Sequence, residues 1–304
     1  MEKSERIADR LINLTSTKMY PFVIIDAGAR GTLPEPWSLM NEDCLRVHGF
    51  EPDPEAFAAL EKKHAYNRLY HPFALWNENK QIILNLNASR ATSAIYPTNN
   101  DVLAPFPEKH TASRQTEKMI EVMANRIDNL VQEAWIDHIK VDVHSAEMEV
   151  LEGAENTLKN VFSVLIETWC LEVHKGQRLL GDVLTYMDKA GFEPYTFENE
   201  YMAWHEAQPS ELKSTGRRRQ VASVVLFVRK DFTSVPPEHR IKAASILDIY
   251  GYPEAALRML VDLDGASEAK NVLLRTWNNR PKLRGPIMRR IFGQKQDLYM
   301  APLS

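Results

Sequence analysis

The sequence predicts an α/β fold built on a doubly wound, mostly parallel sheet, and three observations carry that prediction. The run Phe22-Val-Ile-Ile-Asp26 is short, apolar and followed by Ala27-Gly28-Ala29-Arg30-Gly31, which reads as a buried strand entering a tight turn. A second run, Leu45 to Phe50, ends at Glu51-Pro52-Asp53-Pro54 and leads into helical periodicity from Glu55 to Lys63, with Pro54 near the first turn. Further on, Ile136 to Val143 and Val161 to Cys170 are apolar, with helical spacing from Glu147 to Leu158 between them. That is the pattern of a crossover helix joining two parallel strands.

The remaining elements follow in order. Ile7, Leu11 and Leu14 recur at helical spacing, so residues 1–18 are expected to hold an amphipathic helix covering a sheet edge. Arg68 to Leu75 and Gln81 to Leu86 read as a third strand and a hairpin-like extension. Asn87 to His110 is polar and proline-bearing and reads as a long loop beside a binding site. A helix from about Leu179 to Lys189 and strands near Pro194 to Phe197 and Ala222 to Val228 complete an α/β domain over 19–230. Residues 231–304 read as a helical appendage, with two short helices parted at Gly251-Tyr-Pro253 and another over Ser267 to Trp277. Its end concentrates Arg275, Arg280, Lys282, Arg284, Arg289, Arg290 and Lys295, with Trp277, Ile287, Ile291 and Phe292 interleaved. Such a tail is most often simply solvated, and it also suits peripheral contact with an anionic surface.

Composition excludes several classes. Over 304 residues, 44% hydrophobic and 26% charged content is that of a soluble domain, and a net charge of -4 gives no bias toward nucleic acid. The two cysteines, Cys44 and Cys170, lie too far apart in sequence to suggest a zinc motif or a disulfide framework. The segment Met1 to Leu14 is charged throughout, unlike a signal peptide, and no run reaches bilayer-spanning length, so a cytoplasmic protein is expected.

The turn Asp26-Ala-Gly28-Ala29-Arg30-Gly31 stands at the carboxyl end of a first strand, where open α/β sheets take ligands. Alone, such a turn can simply relieve crowding between strand and helix. Glu51, about twenty residues later at the end of the second strand, is where an acidic side chain reaches ribose hydroxyls, so the pair implies an adenosine-containing ligand. A dinucleotide is disfavoured: the full G-x-G-x-x-G fingerprint is absent, and Asp26 would repel a pyrophosphate. S-adenosylmethionine carries an ammonium and a sulfonium that meet carboxylates favourably, with Arg30 expected to reach its carboxylate. Pro52, Asp53, Ala74 and Leu75 are expected to flank the adenine.

In order, Ile25-Asp-Ala-Gly-Ala-Arg-Gly31, Gly49-Phe-Glu-Pro-Asp-Pro54, Ala91-Thr-Ser-Ala94, Arg126-Ile-Asp128 and Ile139-Lys-Val-Asp-Val-His-Ser-Ala-Glu147 resemble the motifs of FkbM-type methyltransferases. Glu149-Val-Leu-Glu-Gly-Ala154, Val164-Leu-Ile-Glu167 and Gly191-Phe192 extend the resemblance over about residues 20 to 230. It implies a seven-stranded, Rossmann-like class I fold and methyl transfer from S-adenosylmethionine to a hydroxyl, commonly on a glycan, glycolipid or related small molecule. One departure stands out. Where the family usually reads Asp-x-Glu-Gly-x-Glu, this chain has Asp142-Val-His144-Ser145-Ala-Glu147.

Methyl transfer needs an aligned acceptor and a proton acceptor. Asp142 lies at the carboxyl end of the fourth strand of the predicted domain, and His144 is the candidate base, although a histidine at a strand end often only caps a turn. Asp142 is next in line and also a candidate holder of the cofactor's ammonium. Glu147 reads as a charge at a helix N-terminus, and Glu167 as an acceptor-binding or loop-fixing carboxylate, with Trp169 and His174 nearby. The nine histidines form no H-E-x-x-H motif, so no required metal is expected. The altered His144-Ser145 segment leaves a non-catalytic assembly partner as the alternative, and a nicotinamide-dependent oxidoreductase is the third reading.

Overall fold

The computed structural model describes residues 21–62, 66–198, 202–213 and 216–278. The predicted N-terminal helix and the basic residues from Arg280 onward lie outside them. The chain divides into two compact units, one of residues 24–31 and 47–230, the other of 1–23, 32–46 and 231–304.

The larger unit is organised by a seven-stranded sheet. Its strands are β1 (Phe22–Ala27), β2 (Leu45–Phe50), β3 (Arg68–His71), β7 (Ile136–Val141), β8 (Val161–Trp169), β9 (Phe192–Glu198) and β12 (Ala222–Arg229). They run in the order β3-β2-β1-β7-β8-β12-β9, parallel except for β12, which is antiparallel to both neighbours. This is a doubly wound, mostly parallel sheet of the kind the sequence predicts. All nine residues of β8 are buried, as expected of a central strand covered on both faces. The order reverses between β1 and β7, and side chains at the carboxyl ends of these strands meet in the crevice so formed.

A second, three-stranded sheet joins β4 (Ala74–Leu75), β5 (Lys80–Asn87) and β6 (Thr116–Asn125), and a short ribbon pairs β10 (Ala203–Trp204) with β11 (Arg219–Gln220). The predicted third strand therefore corresponds to two strands in two sheets. It ends at His71, while Ala74 packs with Trp76, Leu84, Leu86, Val122, Ala124 and Ala146 in the apolar core under β5 and β6. The expected loop from Asn87 to His110 contains helical segments at Arg90–Thr92, Asn100–Leu103 and Glu108–Ala112. Leu103 and Phe106 explain its order: both are buried, in a cluster with Trp169, Val173 and Met202.

In the smaller unit, the helices Pro237–Ile249, Pro253–Met259 and Ser267–Asn278 occur where the appendage was expected. Gly251 takes φ +90° between the first two, and Pro253 starts the second at a position where its missing N–H costs nothing. Lys242 is buried there, its Nζ donating to Pro21 O at 3.2 Å and lying 5.7 Å from the Phe22 ring centroid. Among the described residues no helix is long and apolar enough to cross a membrane. Cys44 and Cys170 are not joined in a disulfide.

Candidate active site

The glycine turn is fixed by its backbone. Gly28 adopts φ +82°, and both Gly28 and Ala29 donate their N–H to Phe50 O, at 3.1 and 3.0 Å. A Cβ built on Gly28 would stand 2.1 Å from the Asp142 carbonyl oxygen, so no larger residue fits against the start of the loop after β7. Gly31 also has positive φ, +94°, in open space.

Asp26 is buried, and its in-register partner across the parallel pair β1–β7 is Lys140. The Lys140 ammonium lies 3.0 Å from Asp26 Oδ1 and 3.6 Å from Asp142 Oδ2, and it donates to Gly28 O at 2.8 Å. Lys140 was not singled out from the sequence. Its signal was a lysine between Ile139 and Val141 near the end of a largely buried strand, and an ammonium so placed requires compensation of this kind.

Glu51 is buried at the end of β2 and accepts the Asp53 N–H at 2.8 Å. Burial pushes its carboxyl above the ordinary range, against the lowering effects of the Asp53 N–H and Arg30. Arg30 does not stand apart as expected of a residue reserved for a ligand carboxylate. Its guanidinium pairs with Asp53, and its Nε is 3.9 Å from Glu51 Oε2. Asp53 also caps the helix Pro54–Glu61 by accepting the Glu55 N–H at 3.1 Å, so this carboxylate serves the fold twice over. Pro52 is half-buried beside it.

On the other side of the crevice, Asp142, His144 and Glu167 converge. His144 Nε2 is 3.9 Å from Asp142 Oδ1, and His144 Nδ1 is 3.6 Å from Glu167 Oε1. The topology explains the meeting: Val141 pairs with Ile166 in the parallel β7–β8 ladder, so Asp142 and Glu167 are the next residues along. One atom from each of the three side chains lies within 4.8 Å of the others, a spacing that a metal ion can draw together. The Trp169 ring stands 6.2 Å from His144 and 5.9 Å from His174 between centroids. Burial holds the wholly buried His174 down at about 3, with Arg114 and His144 adding to the effect.

The altered turn is tight. His144 has φ +52° and Ser145 φ +125°, left-handed values that suit glycine and cost other residues free energy. Ser145 stands where the motif usually has glycine, and its backbone takes the glycine-like course. Its N–H donates to both oxygens of Glu147, at 3.0 and 3.2 Å. Glu147 begins the helix Glu147–Glu152 but is buried rather than solvated, and that burial, helped by Asp142 and Glu149, pushes it up to about 8.

A model of the methyltransferase FkbM domain matches residues 31–194, more than half of the chain. The chain belongs to the FkbM methyltransferase family. It is accordingly an S-adenosylmethionine-dependent methyltransferase, and the buried Glu51 carboxylate at the end of β2 is chemically suited to the hydroxyls of such a ligand. No curated protein matches the sequence. Among solved structures, the FkbM-family chain is similar to the magnesium protoporphyrin IX methyltransferase of Synechocystis PCC 6803 with bound SAM, at 9% identity, covering 73% of this chain and 77% of that one, with a TM-score of 0.35. The N-methyltransferase NodS of Bradyrhizobium japonicum WM9 is similar at 9% identity over 76% of this chain and 100% of that one, TM-score 0.35. The 1,6-didemethyltoxoflavin-N1-methyltransferase of Burkholderia thailandensis is similar at 13% identity over 75% and 80%, TM-score 0.34. Similarities this low carry no inference about the acceptor.

Proposed function

We propose that this chain is an O-methyltransferase acting on a hydroxyl of a glycan, glycolipid or related small molecule, with His144 as the proton acceptor. The observation that carries the reading is the imidazole set between two carboxylates, 3.9 Å from Asp142 and 3.6 Å from Glu167, at the carboxyl ends of β7 and β8.

In this reading Glu51 takes the ribose hydroxyls, the turn from Gly28 to Gly31 lets the backbone approach the ligand, and Asp26 and Asp142 face its positive charge. Pro52 and Asp53 flank the adenine. Arg30 balances Glu51 and Asp53 from the rim, and Ala74 belongs to the second core instead. When bound, S-adenosylmethionine would supply a methyl group activated by sulfonium for transfer to an acceptor oxygen.

The chain's own work is alignment and proton removal. His144 accepts the hydroxyl proton at an imidazole nitrogen, and the resulting imidazolium is stabilised by the carboxylates of Asp142 and Glu167 on either side. The buried Trp169 ring stands 6.2 Å from the imidazole, tilted against it. The experiment that tests this reading incubates the enzyme with methyl-labelled cofactor and a panel of glycans, glycolipids and small hydroxylated acceptors, followed by identification of the methylated atom. A methyl ether on oxygen, with turnover lowered about 10²- to 10⁴-fold in His144→Ala while cofactor still binds, is expected. Methylation on nitrogen, or full turnover by His144→Ala across about pH 6 to 9, contradicts it. Cofactor binding without transfer to any acceptor would favour the assembly-partner alternative.

A further inference from the structure

Asp142, His144 and Glu167 offer two carboxylate oxygens and one imidazole nitrogen, with one atom from each residue within 4.8 Å of the others. A tetrahedral ion bound at about 2.0–2.1 Å to such donors holds them roughly 3.4 Å apart. With one donor atom of each residue within 4.8 Å of the others, small side-chain rotations bring the three to that spacing. The three side chains are 14%, 12% and 5% exposed, so the donors are screened from bulk water but not sealed from it. Mixed nitrogen and oxygen donors favour zinc and its first-row neighbours over magnesium or calcium, which prefer all-oxygen shells. Three protein ligands leave a fourth position open.

Two carboxylates beside one imidazole make a donor set whose charge suits a divalent cation. We infer that a divalent ion of the zinc class binds at Asp142, His144 and Glu167, and that its binding switches the enzyme off. The second half rests on the reading of His144 as the base: an imidazole nitrogen bound to metal no longer accepts the acceptor's proton, so the ion is an inhibitor and not a required cofactor.

The test separates the two halves. Zinc alone is titrated into the metal-free full chain by calorimetry, in the absence of methyl donor, and cobalt is used in parallel for its visible absorption. Wild type is expected to bind one ion, with affinity falling at least tenfold in His144→Ala and in Glu167→Gln, both checked for native circular dichroism. Turnover by wild type is expected to fall as zinc is added and to recover on addition of a chelator. Absence of zinc binding, or binding unchanged in both variants, overturns the site. Turnover that is lost on chelation and restored by zinc, or unaffected by zinc that is bound, overturns the inhibitory role. A metal-free enzyme that binds the methyl donor but transfers to no acceptor would instead overturn the proposed function, and the zinc titration would still decide the site.

Discussion

Lys140 and Asp26 face each other in register across the parallel strands β1 and β7, with the ammonium 3.0 Å from the carboxylate. Both side chains are largely buried, so removing one leaves the other as an uncompensated charge. Lys140→Met is expected to lower stability by about 3 kcal/mol, measured by denaturant unfolding, and to loosen the turn that its bond to Gly28 O restrains. Asp26→Asn combined with Lys140→Met is expected to recover part of that loss. Additive losses in the double variant would argue against the pairing.

Gly28→Ala tests the closest backbone approach in the site. The substitution meets both an unfavourable φ of +82° and a carbonyl oxygen 2.1 Å from the new Cβ. A loss of at least about 2 kcal/mol is expected, with cofactor binding weakened because the loop after β7 must move. Normal stability and affinity would show that the turn relaxes freely.

Ser145→Gly should go the other way. A serine at φ +125° occupies a region that glycine adopts with little strain. The variant is expected to gain about 1 kcal/mol in unfolding experiments, with the Glu147 bond to the residue 145 N–H retained.

Two buried groups bend the pH dependence of stability in opposite senses. His138 is wholly buried beside Ser163 Oγ at 2.8 Å, and burial holds it down at about 3 from an ordinary value of 6.5. Below 6.5 the unfolded chain takes up a proton that the folded chain refuses, so this contribution is present above 6.5 and is lost as the pH falls toward 3. Glu147 is pushed up to about 8 from 4.5, so between these values the folded chain keeps a proton that the unfolded chain releases. Its contribution is present at low pH and is lost as the pH rises to about 8. Glu147→Gln is therefore expected to flatten the fall in denaturant midpoint across that upper range, an effect on the order of a few kcal/mol. An unchanged slope would place the high-pH loss elsewhere.

The parts of the fold that were legible in the sequence are those governed by continuous apolar runs. β1, β2, β7 and β8 are buried over most of their length, and the first three lead into Gly28, Glu51 and Asp142 at the crevice. The second sheet was obscured because β4 has only two residues and β6 exposes Met119 and Met123 on its open face, which blurs the alternation. Ala74 was misplaced for that reason, being one residue of a strand that pairs with β6 and not an extension of β3. The positions of Asp26, Glu51 and Asp142 at strand ends were readable because the strands themselves were. The partner of Arg30 could not, since a long guanidinium has several carboxylates within reach and local spacing does not choose among them. Glu147 shows the same limit: its place at a helix start was readable, but its burial, shared with Met148, Val150 and Leu151 of the same helix, is set by tertiary packing.

Calorimetric titration of S-adenosylmethionine into wild type and Glu51→Gln tests the central claim most directly. Wild type should bind one equivalent, and Glu51→Gln should bind roughly 10- to 100-fold more weakly. Its thermal stability should be undiminished, because the change removes a carboxylate whose burial already disfavours its charge. No binding to wild type, or equal affinity in the two proteins, would contradict the account.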